Sequence, residues 1–241
     1  MLERKNAQPL YVQARNILLS RIENEEYGVN EKIPSESELC QEFGISRMTV
    51  RSVLTELVRD GKLYRIQGKG TFVAEPKFVA SSTSYIGIRE QLEKQGYEVS
   101  TVVIGVDVID CPTTIARIMG LGLEEQVYYI QRLRNVKDVP LSLHKSYIPV
   151  SYSPGLEHSD FCNEQLCEIL SKKYNLNRSS VTETLESISA SEEEADLLKI
   201  RKGYPLLRLC DSILDKDGRI FEYSTVVFRG DKIQIRLQYD V

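Results

Sequence analysis

Apolar side chains recur every three or four residues in three segments near the N-terminus, which predicts three helices. Ser35 is followed three residues later by Glu38, which is the spacing of a capping box, and Ser46 precedes the third apolar stripe. Two short alternating stretches then predict a β-hairpin. The predicted helices cover residues 9–26, 35–44 and 46–61, and the predicted strands cover residues 63–66 and 71–73. This order of elements is that of a winged helix-turn-helix.

The rest of the chain alternates strands with helices. Residues 76–84 contain proline, lysine and a Ser/Thr run without a periodic pattern, which predicts a linker. Beyond it, strands are predicted at residues 99–109, 127–136, 140–148, 181–190, 206–214, 220–228 and 233–239, with helices at 86–94, 113–119, 164–174 and 191–198. We therefore expect an α+β protein in which residues 1–75 form the winged domain and residues 85–241 form a second domain on an antiparallel sheet.

The composition is that of a globular protein, with 41% hydrophobic and 27% charged residues. No apolar run approaches the ~20 residues needed to span a bilayer, and the polar N-terminus carries no export signal. The five cysteines are irregularly spaced, which indicates reduced thiols rather than a disulfide framework. We expect a cytoplasmic protein with no membrane partner.

The charge distribution changes this picture. The net charge is −4, which argues weakly against a nucleic-acid partner, but residues 45–70 hold six Lys and Arg against two Asp and Glu. A local basic patch suits a protein that touches DNA with one small face. Arg59 and Lys62 have another interpretation, because cations at a helix C-terminus also complement the helix dipole.

The residues expected to contact DNA lie at two places. Arg47, Thr49 and Arg51 occupy the start of the third helix, where free N–H groups and the helix dipole favour phosphate. An arginine that reaches the major groove can also pair with guanine through two hydrogen bonds. Lys69 and the backbone of Gly70, at the hairpin tip, can reach neighbouring phosphates or the minor groove.

The second domain contains an unusual pair of arginines. Arg132 and Arg134 fall on one face of a predicted strand, about 7 Å apart at a rise of ~3.3 Å per residue. Like charges in mid-strand repel each other, so they are less costly when an anion lies between them. Glu222 and Phe228 share a face of the last hairpin, where the carboxylate can accept a hydroxyl hydrogen bond from a ligand. Alternatively, Arg132, Arg134 and Glu222 form an internal ion-pair cluster.

Residues 32–73 read KIPSESELCQEFGISRMTVRSVLTELVRDGKLYRIQGKGTFV. This long segment resembles the N-terminal DNA-binding domain of GntR-family regulators. The resemblance implies DNA contacts by Ser35, Arg47, Thr49, Arg51, Lys69 and Gly70. Ser37 departs from the pattern, because many members have arginine there, and we expect one phosphate contact to be missing or weaker.

The segments RLRNVKDVPLSLHKSYIP and GRIFEYSTVVFRGDKIQI, at residues 132–149 and 218–235, resemble the UTRA effector-binding domain of the HutC-type branch of that family. The resemblance then covers essentially the whole chain. It implies a second domain similar in fold to chorismate lyase, which binds a small metabolite such as a sugar phosphate. In aminosugar-phosphate-sensing members, residues that match Arg132, Arg134, Glu222 and Phe228 line the pocket.

Three positions depart from those members. Gly87 stands in place of a phosphate-binding serine, His144 in place of an acidic residue, and residues 164–167 in place of a Ser/Tyr pair. We therefore expect an anionic effector other than that aminosugar phosphate. A simple two-residue turn before His144 places its side chain opposite the arginines, whereas one bulge reverses that, and His144 is included among the expected effector-binding residues.

The sequence thus predicts a transcription regulator, most simply a repressor, whose affinity for operator DNA is changed by a small anionic metabolite. One helix-turn-helix reads too few base pairs to find a genomic site, which predicts a homodimer on a palindromic, double-stranded operator. We expect no cofactor and no metal.

Three other classes of function are less well supported. An enzyme is disfavoured because no catalytic motif accompanies the lyase-like fold. A metal sensor using His158, Cys162 and Cys167 lacks a recognised zinc spacing. A constitutive architectural DNA-binding protein does not need the second domain.

Overall fold

The computed structural model describes residues 8–81, 87–122 and 124–237. The chain divides into two compact units, Met1–Lys77 and Phe78–Val241. The first unit contains helices α1 (Leu10–Glu23), α2 (Glu36–Phe43) and α3 (Arg47–Arg59) and strands β1 (Leu63–Ile66) and β2 (Gly70–Val73). The second unit contains strands β3 (Phe78–Ser81), β4 (Val99–Asp110), β5 (Gln126–Val136), β6 (Val139–Pro149), β7 (Ser180–Ser189), β8 (Pro205–Leu214), β9 (Ile220–Arg229) and β10 (Ile233–Arg236). Its helices are α4 (Ile88–Lys94), α5 (Thr113–Met119), α6 (Leu166–Tyr174) and α7 (Glu192–Leu198).

Capping residues define the start of α2 and the turn that joins α2 to α3. The Ser35 Oγ accepts a hydrogen bond from the Glu38 N–H at 3.3 Å, and the Glu38 carboxylate accepts one from the Ser35 N–H at 2.7 Å. This reciprocal pair confirms the predicted capping box. Gly44 ends α2 in the left-handed conformation at φ 63°, and the Ser46 side chain caps α3. The predicted helix–turn–helix is therefore confirmed.

The apolar stripe of α3 builds the core of the first unit. Val50, Val53, Leu54 and Leu57 are buried on one face of this helix and pack with side chains from α1, α2 and the hairpin. Strands β1 and β2 pair in antiparallel register from Leu63 opposite Val73 to Ile66 opposite Gly70, which confirms the predicted wing. Because one face of α3 is buried, its polar face is left to solvent.

The second unit is built on a six-stranded antiparallel sheet in the order β4-β5-β6-β9-β8-β7. Helices α4 and α6 cover one face, where Leu92 and Ile169 enter separate apolar clusters against the strands. Helices α5 and α7 cover the other face through Ala116 and Leu198. The unit is therefore α+β on an antiparallel sheet, as predicted, with helices on both faces of that sheet. None of the helices that the structure describes is long and apolar enough to cross a membrane.

One expectation about the linker is wrong. Residues 78–81, which the sequence assigned to a linker at 76–84, form β3 and pair in parallel with β10, with Phe78 opposite Ile233. The error has a physical cause: a four-residue strand gives little periodic signal, and its partner lies more than 150 residues away along the chain. Residues 82–84 of the predicted linker and residues 238–239 of the predicted last strand lie outside the described residues, together with residues 85–86 and 240–241.

Candidate nucleic-acid interface and ligand cavity

The first unit has a concave surface between the start of α2, the start of α3 and the wing. It encloses about 430 Å³ and is lined by Ser35, Arg47, Arg51, Lys69 and Gly70 together with their neighbours. Five of the six residues predicted to contact DNA therefore lie on one surface. Thr49 is half-buried beside it, and its hydroxyl lies 2.8 Å from the Ser46 Oγ.

Glu36 lies among the arginines of this surface and was missed in the sequence. Its carboxylate lies 3.4 Å from the Arg47 Nε and 3.3 Å from the Arg51 Nε. A third cation, Arg65, approaches the same carboxylate at 3.9 Å. The side chains of Arg47 and Arg51 are 73% and 61% exposed, so each pair contributes little to stability. The carboxylate holds the guanidinium groups side by side, where phosphates or bases can replace it.

The wing tip is shaped by two glycines. Gly68 and Gly70 have φ values of 75° and 129°, and a Cβ on Gly70 would lie 2.6 Å from the Cε of Lys32. The Lys69 N–H donates to the Ile66 carbonyl at 3.0 Å, which closes the turn and leaves the Lys69 ammonium exposed. Glycine at position 70 therefore permits both the turn and the close approach of Lys32.

The second unit contains a cavity of about 170 Å³ on the sheet face that carries α4 and α6. Strands β5, β6, β8 and β9 form its floor, and Gly87, Gln91, Gln165 and Cys167 form part of its wall. A second chamber of about 420 Å³ adjoins it and shares Gly87, Gln165, Cys167 and Glu222. Gly87, His144 and residues 165–167, at which this chain departs from the aminosugar-phosphate-sensing pattern, thus line the cavity, whereas Glu164 does not.

Arg132 and Arg134 both line this cavity and are only 7% and 8% exposed. The Arg132 Nη2 donates to the Ser146 Oγ at 3.2 Å. The Nε atoms of both arginines are buried and have no hydrogen-bond partner in the described part of the chain. Two buried donors are therefore available to a ligand.

The arginine charges are incompletely neutralised. Burial lowers the pKa of both guanidinium groups, and repulsion from Arg132 and Arg89 lowers that of Arg134 further. The charge of Glu222 opposes this change at Arg132, but within the described ranges Glu222 forms no ion pair with either arginine. Arginine keeps its proton in proteins, so a lowered pKa means that this part of the cavity favours an added anion.

A bulge brings His144 to the same face. Lys137 and Asp138 form a two-residue turn with φ values of 49° and 61°. The register between β5 and β6 then shifts by one residue, so that Leu141 is the extra residue and His144 lies opposite Arg132. The side chain therefore lines the cavity, 2.9 Å from the Ser142 Oγ. Burial and the two arginines lower the pKa of His144 well below its usual value, so the imidazole is neutral at pH 7.

Two carboxylates face the cavity from β9 and β8. Burial raises the pKa of Glu222, and the charge of Arg132 opposes that rise. Asp211 was missed in the sequence, although a carboxylate in the middle of an apolar strand was a usable signal. Burial and the charge of Glu183 raise the pKa of Asp211 to about 7. The Ser224 hydroxyl donates to its Oδ2 at 3.2 Å, whereas its buried Oδ1 has no partner among the described residues.

Phe228 does not line the cavity, contrary to expectation. Its side chain is fully buried in the apolar cluster that includes Leu141 and Val226. Its ring meets the His144 ring edge-on, with centroids 6.3 Å apart. Strand alternation predicts the face of Phe228 correctly but not its depth, because Leu141 and Leu92 of α4 pack with it in one apolar cluster. Phe228 is placed to support His144 rather than to touch a ligand.

The three residues weighed as a metal site do not converge in the structure. His158 and Cys162 are exposed, whereas Cys167 lies on the wall of the cavity. In the ranges that the structure describes, no group of three or more His, Cys, Asp or Glu side chains is arranged to hold a metal ion.

A winged helix-turn-helix with a basic concave surface, in one chain with a unit that encloses a polar cavity, defines a ligand-responsive DNA-binding regulator. Residues 10–73 match the pattern of the bacterial regulatory proteins of the gntR family, and residues 94–234 match the UTRA domain. The chain belongs to the gntR family and carries a UTRA domain, as the resemblance implied.

Known relatives span nearly the whole chain. It is 33% identical to the HTH-type transcriptional repressor NagR of Bacillus subtilis, over 93% of this chain and 92% of that protein. It is 31% identical to the histidine utilization repressor of Pseudomonas putida, over 83% of this chain and 79% of that protein. The crystal structure of PhnF from Mycobacterium smegmatis matches with a TM-score of 0.68 at 22% identity, over 95% and 99% of the two chains. The family matches and the two repressors confirm a transcription regulator of the HutC-type branch rather than an enzyme, and the PhnF structure shows the same fold.

Proposed function

We propose that the protein is a cytoplasmic transcriptional repressor that binds a palindromic operator as a homodimer and leaves it when a small anionic metabolite occupies the cavity. The relatives named NagR and histidine utilization repressor support repression. No cofactor or metal is needed for either step.

The proposed DNA contacts divide by role. Arg47 and Arg51 read bases in the major groove from the exposed face of α3, and Thr49 assists at the helix N-terminus. Ser35 and Lys69 position the domain by contacting phosphates, with Gly70 allowing the wing backbone to approach closely. The concave shape of the surface and the exposure of its arginines support this assignment.

The single observation that carries the effector proposal is the pair of buried Nε donors on Arg132 and Arg134. A buried donor without a hydrogen bond costs free energy. A phosphate or carboxylate accepts hydrogen bonds from both donors and also neutralises the charge of the arginines. His144 and Glu222 then contact the polar groups of the ligand, while Phe228 supports His144 from behind. Ligand binding can shift the equilibrium between a DNA-binding conformation and a released conformation only by the difference in the ligand's affinity for the two.

The test combines a ligand screen with one double variant. Thermal shift of the full chain against phosphorylated sugars and carboxylates identifies ligands, and operator release at saturating ligand measures the response. Arg132→Ala with Arg134→Ala removes two charge-assisted contacts, each worth about 1.5–3 kcal/mol. We expect this variant to bind operator normally and to ignore the ligand.

Arg208→Ala is the matched control, because Arg208 lies on the same sheet but pairs with Glu186 on the surface. It should respond to ligand as the wild type does. If the double variant instead melts well below the wild type without ligand, the arginines serve an internal ion-pair cluster. Normal melting together with normal release places the effector elsewhere and contradicts the proposal.

A further inference from the structure

The start of α3 carries an apolar side chain that the core of the first unit does not use. Met48 is the second residue of this helix, and its 70% exposure exceeds that of the other large apolar residues in the described part of the chain. The apolar stripe of the same helix, from Val50 to Leu57, is by contrast buried. The Met48 side chain is therefore open to a partner of α3.

The neighbours of Met48 on the helix surface are polar. Arg51 and Ser52 follow it by three and four residues, so the three side chains lie on one face of α3. The Ser52 hydroxyl donates to the Met48 carbonyl at 3.0 Å, which keeps it against the helix backbone. Side chains on a helix tilt toward its N-terminus, which is the end of a recognition helix that contacts base edges. Met48 thus projects from the end of α3 that is proposed to meet the bases.

We infer that Met48 reads the C5-methyl group of one thymine in each operator half-site. The inference rests on the proposed function and adds an apolar contact to the arginine contacts. The thymine methyl is the apolar group that base pairs present in the major groove. A phosphate offers no such group, so an exposed methionine gains from a base edge and not from the DNA backbone. The flexible thioether chain of methionine adapts to the position of that methyl.

The consequence is discrimination at one base pair of each half-site. Cytosine and uracil both lack the thymine methyl, and uracil keeps the other hydrogen-bonding groups of thymine. Burial of one group of the size of a CH₂ changes affinity about fourfold. The pairing of an arginine with guanine does not use this methyl, so the two kinds of base contact can be separated by experiment.

The test removes the methyl from the DNA and the side chain from the protein. The operator is the duplex that the wild type enriches most strongly from a random DNA pool, and each of its thymines is replaced in turn by deoxyuridine. Fluorescence anisotropy measures the affinity of the full chain for each duplex, for the wild type, Met48→Ala, Met48→Leu and Val29→Ala. Alanine and leucine both favour helix, so neither change at position 48 disturbs α3.

Val29→Ala is the matched control, because Val29 is a 51% exposed apolar residue between α1 and α2 that does not line the concave surface. We expect one thymine in each half-site whose replacement by deoxyuridine weakens wild-type binding about fourfold. Val29→Ala should show the same loss, and so should Met48→Leu, which keeps an apolar side chain. Met48→Ala should bind the thymine and deoxyuridine duplexes equally well.

A wild-type operator without any such sensitive thymine overturns the inference. So does a loss that persists in Met48→Ala, because the methyl then acts through another residue or through the shape of the DNA. In both cases the proposed function stands, since the wild type still enriches a specific sequence. A wild type that enriches no sequence contradicts the proposed function and the inference with it.

Discussion

Arginine has two different uses at the residue scale in this chain. Arg47 and Arg51 are exposed, are loosely held by Glu36 and are free to reach a polyanion. Arg132 and Arg134 are buried, and their Nε donors have no partner in the described ranges, so their charge acts on a small enclosed volume. Burial therefore distinguishes the exposed arginines, which are open to a polyanion, from the enclosed arginines, which in the proposed function bind a small anion.

Asp211 predicts a pH dependence of stability. Its pKa is about 7 in the folded protein, which is above the ordinary value of 3.8, so the folded state binds its proton more tightly than the unfolded state does. The free energy of unfolding should therefore fall as the pH rises from about 4 to 7. Asp211→Asn mimics the protonated acid and should melt higher than the wild type at pH 8 but not at pH 4.

Thermal melting across this pH range measures the effect, with Asp196→Asn, a change at an exposed acid on α7, as the control. The physical basis is desolvation, which disfavours the charged carboxylate whatever the ligand is. The difference in melting temperature between the wild type and Asp211→Asn should change between pH 4 and pH 8. An equal difference at both pH values would show that Asp211 ionises normally in the folded protein.

The candidate site could be predicted only in part from single residues. Arg132 and Arg134 were evident because like charges at a spacing of two are unusual in mid-strand. Glu36 and Asp211 were not, because their importance depends on partners from other elements. Phe228 was assigned to the correct face but not to the correct depth, which depends on the packing of Leu141 and Val226 around it.

At the scale of elements, local signals predicted most helices and strands. Ser35 and Ser191 cap the starts of α2 and α7, and β8 and β9 occupy the segments predicted as strands at residues 206–214 and 220–228. The bulge at Leu141 could not be derived, since a two-residue turn by itself sets the opposite register. That one extra residue decides whether His144 faces the arginines. A correct prediction of the fold therefore did not determine whether His144 belongs to the site.

Ser35 allows capping to be separated from DNA contact. Ser35→Ala removes the cap of α2 and should lower the free energy of unfolding of the first unit by about 1 kcal/mol. Ser35→Asp caps equally well but adds a negative charge beside the proposed phosphate contact. We expect it to keep the stability of the wild type and to bind operator more weakly, measured by urea unfolding and fluorescence anisotropy.

Ser191→Ala is the matched control, because Ser191 forms the same capping box at the start of α7 in the second unit. It should lower stability without changing operator affinity. Tight operator binding by Ser35→Asp would show that Ser35 only caps the helix.

At the scale of the whole molecule, dimerisation is expected to depend on the second unit. Both edge strands of its sheet, β4 and β7, expose apolar side chains, including Val102, Val108, Val181 and Leu185. Exposed edges and apolar surface are typical of an interface. We predict that residues 78–241 sediment as a dimer at micromolar concentration, with the full chain as the control. A monomer of this fragment beside a dimeric full chain would assign the interface to the winged unit.

In the proposed function, α3 of each subunit reads one half of a palindromic operator. Selection of binding sites from a random DNA pool, with wild type, Arg51→Ala and Lys69→Ala in parallel, tests it most directly. The wild type should enrich an inverted repeat with half-sites about one helical turn, or a multiple of it, apart. Arg51→Ala should lose about 1–3 kcal/mol and its preference at one base pair of each half-site, whereas Lys69→Ala should select the same sequence with lower affinity. No enrichment by the wild type, or an identical selected sequence from Arg51→Ala, would contradict the account.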